Sequence, residues 1–160
     1  MSKPRLYLET TIPSYLTAWP SRDPVVAADQ EMTKEWWRDQ RRLFDLYISE
    51  FVWEEISVGD PDAARERMEV MKEIAWLEIT DRGRRLTHEL MDSKILPEKA
   101  RQDAAHIAVC AAHGIEYLLT WNCSHIANPE IVKLVRRMCD RHGLRCPEIT
   151  TPAQLMELMS

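Results

Sequence analysis

Four polar residues stand where apolar segments end or buried helices begin, and they are the candidates for chemistry. They are Glu9, an acid of the pair Glu54 and Glu55, Asp103, and Asn122. In a parallel sheet, the carboxyl ends of the strands gather at one edge, so acids far apart in sequence can meet there around a metal ion. Three carboxylates in one crevice would repel each other unless a divalent cation neutralised them. The pattern therefore predicts a metal site.

The donor types indicate which ion and which reaction. Carboxylate oxygens, and the carbonyl oxygen of an asparagine, favour Mg²⁺ or Mn²⁺ over Zn²⁺. Such an ion can lower the pKa of a bound water and stabilise the charge that develops at a phosphoryl centre. Hydrolysis of a phosphodiester is the chemistry that this set predicts.

Each candidate also has a simpler structural explanation. Glu9 can cap the helix that follows it, and Asn122 can be a turn residue. Asp103 opens a helix that is apolar on nearly every side, where the helix dipole alone could satisfy its charge. Glu54 and Glu55 point about 100° apart on a short helix, so spacing does not decide which one faces inward.

The segments that must position these residues alternate between strand and helix patterns. Strands are predicted at 5–8, 43–48, 76–79, 116–120 and 146–149. Helices are predicted at 25–41, 50–57 with Ser49 as N-cap, 62–74, 81–92, 97–113 and 129–141, with a last one starting at Pro152. This alternation predicts an α/β fold with a mainly parallel sheet.

Composition limits the class of protein. The 160 residues suit one domain spanning 1–160, and 45% hydrophobic with 29% charged residues is typical of a globular chain. No apolar run approaches the roughly 20 residues of a membrane span and no signal peptide is evident, so we expect a cytoplasmic protein without a membrane partner. A net charge of -5 argues against a broad nucleic-acid footprint, and any contact with nucleic acid should be local.

Other constellations receive less support. The four cysteines form no Cys-x-x-Cys pair, and the chain has no glycine-rich phosphate loop. Cys123 and His125 lie close in sequence, but a thiol protease needs its base from across the fold. The Trp36 and Trp37 pair is expected in the core or a subunit interface, and His106 is expected to be a core histidine.

Several short motifs, in order along nearly the whole chain, resemble those of the PIN-domain family, and within it the VapC-like toxins of toxin-antitoxin pairs. The segment 6–13, with Glu9 followed by two threonines, is similar to the first strand and first acid of that family. The segment 48–56 is similar to the second strand and its acidic helix, with Glu55 at the acidic position. The segments 103–109, 114–122 and 151–155 resemble the third acid with its small-residue helix, the next strand with its polar residue, and the closing segment.

The resemblance implies a three-layer α/β/α domain, metal-dependent ribonuclease activity, a homodimer and a small antitoxin partner. It also implies that Glu9, Glu55 and Asp103 bind Mg²⁺ or Mn²⁺, while Asn122 orients a ligand or water. Glu9 stands where aspartate is usual, which adds one methylene to the ligand arm. Asn122 stands where aspartate is common, which removes a negative charge and should weaken metal binding. The alternative is a PIN-like scaffold that binds a protein or RNA with little catalysis.

Overall fold

A computed structural model describes residues 2–160 of the chain. A five-stranded sheet forms its centre, with the strands in the order β3-β2-β1-β4-β5 and every neighbouring pair parallel. The predicted α/β class is confirmed, and the sheet is parallel throughout this part of the chain. The strands are β1 (Arg5–Leu8), β2 (Asp45–Ser49), β3 (Ala75–Leu77), β4 (Tyr117–Leu119) and β5 (Glu148–Thr150).

Helices flank this sheet in a manner consistent with three α/β/α layers. They are α1 (Thr11–Thr17), α2 (Pro24–Asp39), α3 (Glu50–Ile56), α4 (Pro61–Met71), α5 (Asp81–Asp92), α6 (Arg101–Ala112), α7 (Pro129–Arg141) and α8 (Pro152–Met159). Helix α2 packs against α1 and α8, whereas α5 packs against α6 and α7. Within residues 2–160, each helix is too short or too polar to cross a lipid bilayer.

Several predicted boundaries differ from the structure by a few residues, and two of these differences have identifiable reasons. The second strand begins at Asp45 rather than Leu43, because residues 41–43 form a 3₁₀ turn and pairing starts opposite Arg5. The helix predicted from Pro97 begins as α6 only at Arg101, after a 3₁₀ turn over residues 98–100. Both differences shift an end without changing the type of element.

The core is built around the central strand and helix α6. Leu6, Tyr7 and Leu8 are fully buried on β1, which has a strand on each side. Residues 104–111 of α6 are all buried, as its apolar sequence predicts. Trp36 is also fully buried and packs near Phe44, which places it in the core.

Ser49 links the sheet to the helix that carries one of the candidate acids. It ends β2, and its hydroxyl oxygen accepts a hydrogen bond of 3.2 Å from the amide of Phe51, as predicted for an N-cap. The same hydroxyl lies 2.7 Å from the Tyr7 hydroxyl on the neighbouring strand. Ser49 thereby fixes where α3 begins relative to β1.

We expect Ser49→Ala to lower the free energy of unfolding by about 2–3 kcal/mol, because it removes an N-cap and a buried partner of Tyr7 together. Thr80→Ala is the matched control, since the Thr80 hydroxyl caps α5 through one bond of 3.1 Å to the amide of Gly83. That change should cost about 1 kcal/mol. Urea unfolding measures both, and equal losses would contradict the double role of Ser49.

Candidate functional site

The candidate residues lie at the carboxyl edge of the sheet, near the point where the strand order reverses. Strands β2 and β3 extend from one side of β1, and β4 and β5 extend from the other. A crevice at such a reversal is where open α/β sheets bind ligands. Glu9 directly follows the end of β1, and Asn122 follows β4 three residues beyond Leu119.

Glu9 is only 4% exposed and is held by three protein donors. Its Oε1 accepts hydrogen bonds from the Thr11 amide at 3.1 Å, the Thr11 hydroxyl at 2.5 Å and the Thr120 hydroxyl at 2.7 Å. Its Oε2 accepts no hydrogen bond from residues 2–160. Glu9 therefore meets the start of α1, as a capping residue would, and still has an oxygen available for a ligand.

Thr11 connects the ends of the two central strands through its side chain. Its hydroxyl donates to Glu9 and accepts a 2.9 Å hydrogen bond from the Trp121 amide. The Trp121 indole N–H in turn donates to the Thr33 hydroxyl on α2 at 2.7 Å. The position of Glu9 therefore depends on β1, β4 and α2 together.

Glu55 faces inward from α3, whereas its neighbour Glu54 is exposed. The Oε1 atom of Glu55 accepts hydrogen bonds from the Thr10 hydroxyl at 2.6 Å and from His106 Nε2 at 2.5 Å. Burial raises the pKa of Glu55. The hydrogen bond and charge of His106, together with the Thr10 hydroxyl, outweigh burial, so the pKa of Glu55 lies below its ordinary value. The geometry thus distinguishes two acids that sequence spacing left equivalent.

His106 is fully buried on α6, where it lies one turn after Asp103 and binds Glu55. Burial lowers its pKa, but the hydrogen bond to Glu55 and the charges of Glu9, Glu55 and Asp103 outweigh burial and raise the pKa overall. Its Nδ1 lies 2.7 Å from the Tyr7 hydroxyl. As an imidazolium, His106 donates to Tyr7 and to Glu55, and Tyr7 can then donate to the Ser49 hydroxyl.

Sequence reasoning undervalued His106. It is a core histidine, as expected, yet it also joins a candidate acid to the central strand. The available signal was its position one turn after Asp103, which places both side chains toward one side of α6. The contact with Glu55 spans 51 residues of chain and has no local signature.

Asp103 is held by two side chains from the loop after β4. Asn122 Nδ2 donates to Asp103 Oδ1 at 3.1 Å, and His125 Nδ1 donates to Asp103 Oδ2 at 3.0 Å. The Asn122 Oδ1 atom accepts the His125 amide at 3.0 Å, which fixes the orientation of the asparagine side chain. Asn122 thus orients Asp103, and His125 is a site residue that sequence reasoning considered only for thiol chemistry.

The donor set suits a hard divalent cation, although its spacing is not that of a closed ligand cluster. Carboxylate oxygens keep unused lone pairs, and the free Oε2 of Glu9 is the clearest example. Within residues 2–160, no group of three or more His, Cys, Asp or Glu side chains has metal-ligand spacing. The chemistry of the donors fits Mg²⁺ or Mn²⁺, so their assignment as ligands stays a prediction.

No protein-family model matches the chain, and comparison with curated proteins finds no match. The resemblance to PIN-domain proteins therefore stays a prediction from short motifs. Function has to be inferred from the residues at the carboxyl edge of the sheet and from the contacts between them.

In metal-free protein, the Glu55 and His106 pair should make stability depend on pH. The folded pKa of Glu55 is lowered, so its contribution is present above the ordinary value of 4.5 and is lost as the pH falls through the folded pKa. The folded pKa of His106 is raised, so its contribution is full below the ordinary value of 6.5 and is lost as the pH rises through the folded pKa. Stabilisation by the pair should be greatest between these limits.

We expect Glu55→Gln to lower the free energy of unfolding by about 1–2 kcal/mol near pH 6, a range set by the partial exposure of Glu55. The loss should shrink toward acidic and alkaline pH. Urea unfolding with a chelator present measures it, and Glu54→Gln, on the exposed neighbour, is the control. A loss that stays constant across pH would contradict the ion pair.

Proposed function

We propose that the protein is a Mg²⁺- or Mn²⁺-dependent endoribonuclease of the PIN-domain type. The observation that carries this proposal is the placement of three hydrogen-bonded acids from separate segments of the chain near the carboxyl edge of the sheet. Glu9 follows β1, Glu55 lies on α3 and binds His106, and Asp103 lies on α6 one turn before His106. Several acids beside the point where the strand order reverses are suited to binding a divalent cation and a phosphodiester.

Glu9, Glu55 and Asp103 would hold the cation, and other side chains hold them in place. Thr11 and Thr120 fix Glu9. His106 and Thr10 fix Glu55, and Asn122 and His125 fix Asp103, as given by the hydrogen bonds described above. When bound, the cation would activate water and balance the charge that develops on the phosphate. Such supporting contacts orient ligands and increase their basicity.

The biological setting is a further part of the proposal and rests on the motif resemblance. We propose that the protein is the toxin of a type II toxin-antitoxin pair, which cleaves RNA in the cytoplasm. A small antitoxin protein and a second copy of the chain would be its partners. The acidic chain, with its net charge of -5, fits a local contact with RNA better than a broad one.

The second candidate is a PIN-like scaffold that binds a protein or RNA without efficient catalysis. Two observations favour it. Each candidate acid already accepts hydrogen bonds from protein donors, and residues 2–160 contain no group of three or more His, Cys, Asp or Glu side chains at metal-ligand spacing. A scaffold would keep these hydrogen bonds as structural supports and would gain nothing from a cation.

Metal-dependent cleavage of structured RNA separates these candidates. We expect Asp103→Ala and Glu55→Gln each to lower the Mn²⁺-stimulated rate by at least about 100-fold, because each removes a proposed ligand charge. Glu54→Gln should leave the rate within about twofold, since Glu54 is exposed on the same helix. Equal rates for wild type and Asp103→Ala would overturn the enzyme assignment.

Calorimetric titration with Mn²⁺ tests the site without reference to a substrate. An enzyme should bind Mn²⁺ in a manner that depends on Glu9 and Asp103. A scaffold should show no binding that Glu9→Gln or Asp103→Asn removes. Thermal unfolding of each variant in chelator shows whether it still folds.

A further inference from the structure

A surface groove opens beside the acidic site, between the beginnings of α3 and α6 and one face of α5. Its floor is apolar, formed in part by Ile79 and Phe51, and both are partly exposed. Its rim is polar and carries two arginines on opposite elements. The lining residues that matter here are Glu50, Phe51, Arg84, Thr87, Arg101 and Gln102.

The groove lies next to the acidic site, and helix α6 and Phe51 connect the two. Arg101 and Gln102 directly precede Asp103 on the first turn of α6. The Phe51 ring packs edge-on against His106, with their centroids 6.3 Å apart and the planes at 90°. His106 also binds Glu55, so only the His106 ring lies between Phe51 in the groove floor and this candidate metal ligand.

The charge of this region is opposite to that of the whole chain. Residues 81–101 contain six Lys and Arg against four Asp and Glu, whereas the chain carries a net charge of -5. Arg101 is exposed and forms no ion pair with any residue in 2–160. Arg84 pairs with Asp81 at 3.0 Å, with side chains 62% and 85% exposed, and such a surface pair is weak enough to exchange for another anion.

Glu50 is the opposing charge on the rim, and it is exposed. The guanidinium groups of Arg84 and Arg101 outnumber this one carboxylate on the rim, and the apolar floor lies between them. Arginine suits phosphate because its planar fork of donors can bind two oxygens at once. An apolar floor between phosphate contacts suits a nucleobase, which has an aromatic face to stack.

We propose that this groove binds the backbone of a single-stranded RNA segment that flanks the scissile phosphate, with Arg84 and Arg101 contacting its phosphates. The inference rests on the proposed ribonuclease function and specifies how its substrate is held. Phe51 in the groove floor contacts His106, and His106 binds Glu55, so a strand bound in the groove lies beside the acidic site. The arginines offset the repulsion that the acids exert on a polyanion.

Binding is tested with a fluorescein-labelled single-stranded RNA oligonucleotide of mixed sequence, by anisotropy, in chelator so that cleavage does not interfere. We expect Arg84→Gln and Arg101→Gln each to weaken binding about three- to tenfold at roughly 0.1 M salt. Each should also lower the slope of log affinity against log salt by about 0.7, as expected for one lost phosphate contact.

Two arginines serve as matched controls. Arg65 forms an exposed pair with Asp62 at 3.0 Å, with the same i,i+3 spacing as the pair of Arg84 and Asp81. Arg145 is exposed beside Pro4 and Glu116, which precede β1 and β4 and lie at the opposite edge of the sheet. Arg65→Gln and Arg145→Gln should leave both the affinity and the salt slope unchanged.

Three outcomes would overturn the proposal that the groove binds RNA. They are no oligonucleotide binding by the wild type, equal losses of affinity in the control variants, or displacement of the RNA by inorganic phosphate at an equal phosphate concentration. Asp103→Ala separates this inference from the proposed function. It should retain RNA binding in chelator while losing cleavage. If RNA binding needs Arg84 and Arg101 but the protein never cleaves RNA, the proposed ribonuclease function is rejected and the proposed RNA-binding groove is retained.

Discussion

The hydrogen bonds of buried His106 are the interaction on which the arrangement of fold and site depends. One ring nitrogen contacts Tyr7 on the central strand and the other contacts Glu55 on α3. Tyr7 continues the chain of contacts to Ser49, which ends β2 and begins α3. A buried imidazole is costly unless both nitrogens have partners, so this network specifies one arrangement of α6 over the sheet.

Hydrogen bonds also help to stabilise the nearby carboxylates of Glu9, Glu55 and Asp103 in the absence of a cation. Glu9, Glu55 and Asp103 each accept hydrogen bonds from their own protein donors, and the hydrogen bond to Glu55 together with the three carboxylates raises the pKa of His106. Hydroxyl donors from Thr10, Thr11 and Thr120 stabilise the charged carboxylates further. Such an arrangement orients acids in advance, which reduces the reorganisation that ligand binding requires.

The sequence predicts the fold more fully than it predicts the site. Alternating patterns identify the strands and most of the helices because periodicity is local, and Ser49 is recognisable as an N-cap from its place before a helix. The choice of Glu55 over Glu54 depends on Thr10 and His106, which lie 45 and 51 residues away. The clamp of Asn122 and His125 on Asp103 is equally long in range, so spacing alone gives no sign of it.

The strand order determines how late in synthesis the acidic site can form. Strand β1 is made early, but one of its two neighbours, β4, consists of residues 117–119, and the side chains that hold Asp103 follow later still. Pairing of this kind joins distant parts of the chain and forms late in folding. During synthesis, a ribosome-bound chain would therefore carry Glu9 and Glu55, without a complete acidic site, from residue 55 until His125 has been added. The proposed nuclease activity would therefore require that the chain has emerged at least as far as His125.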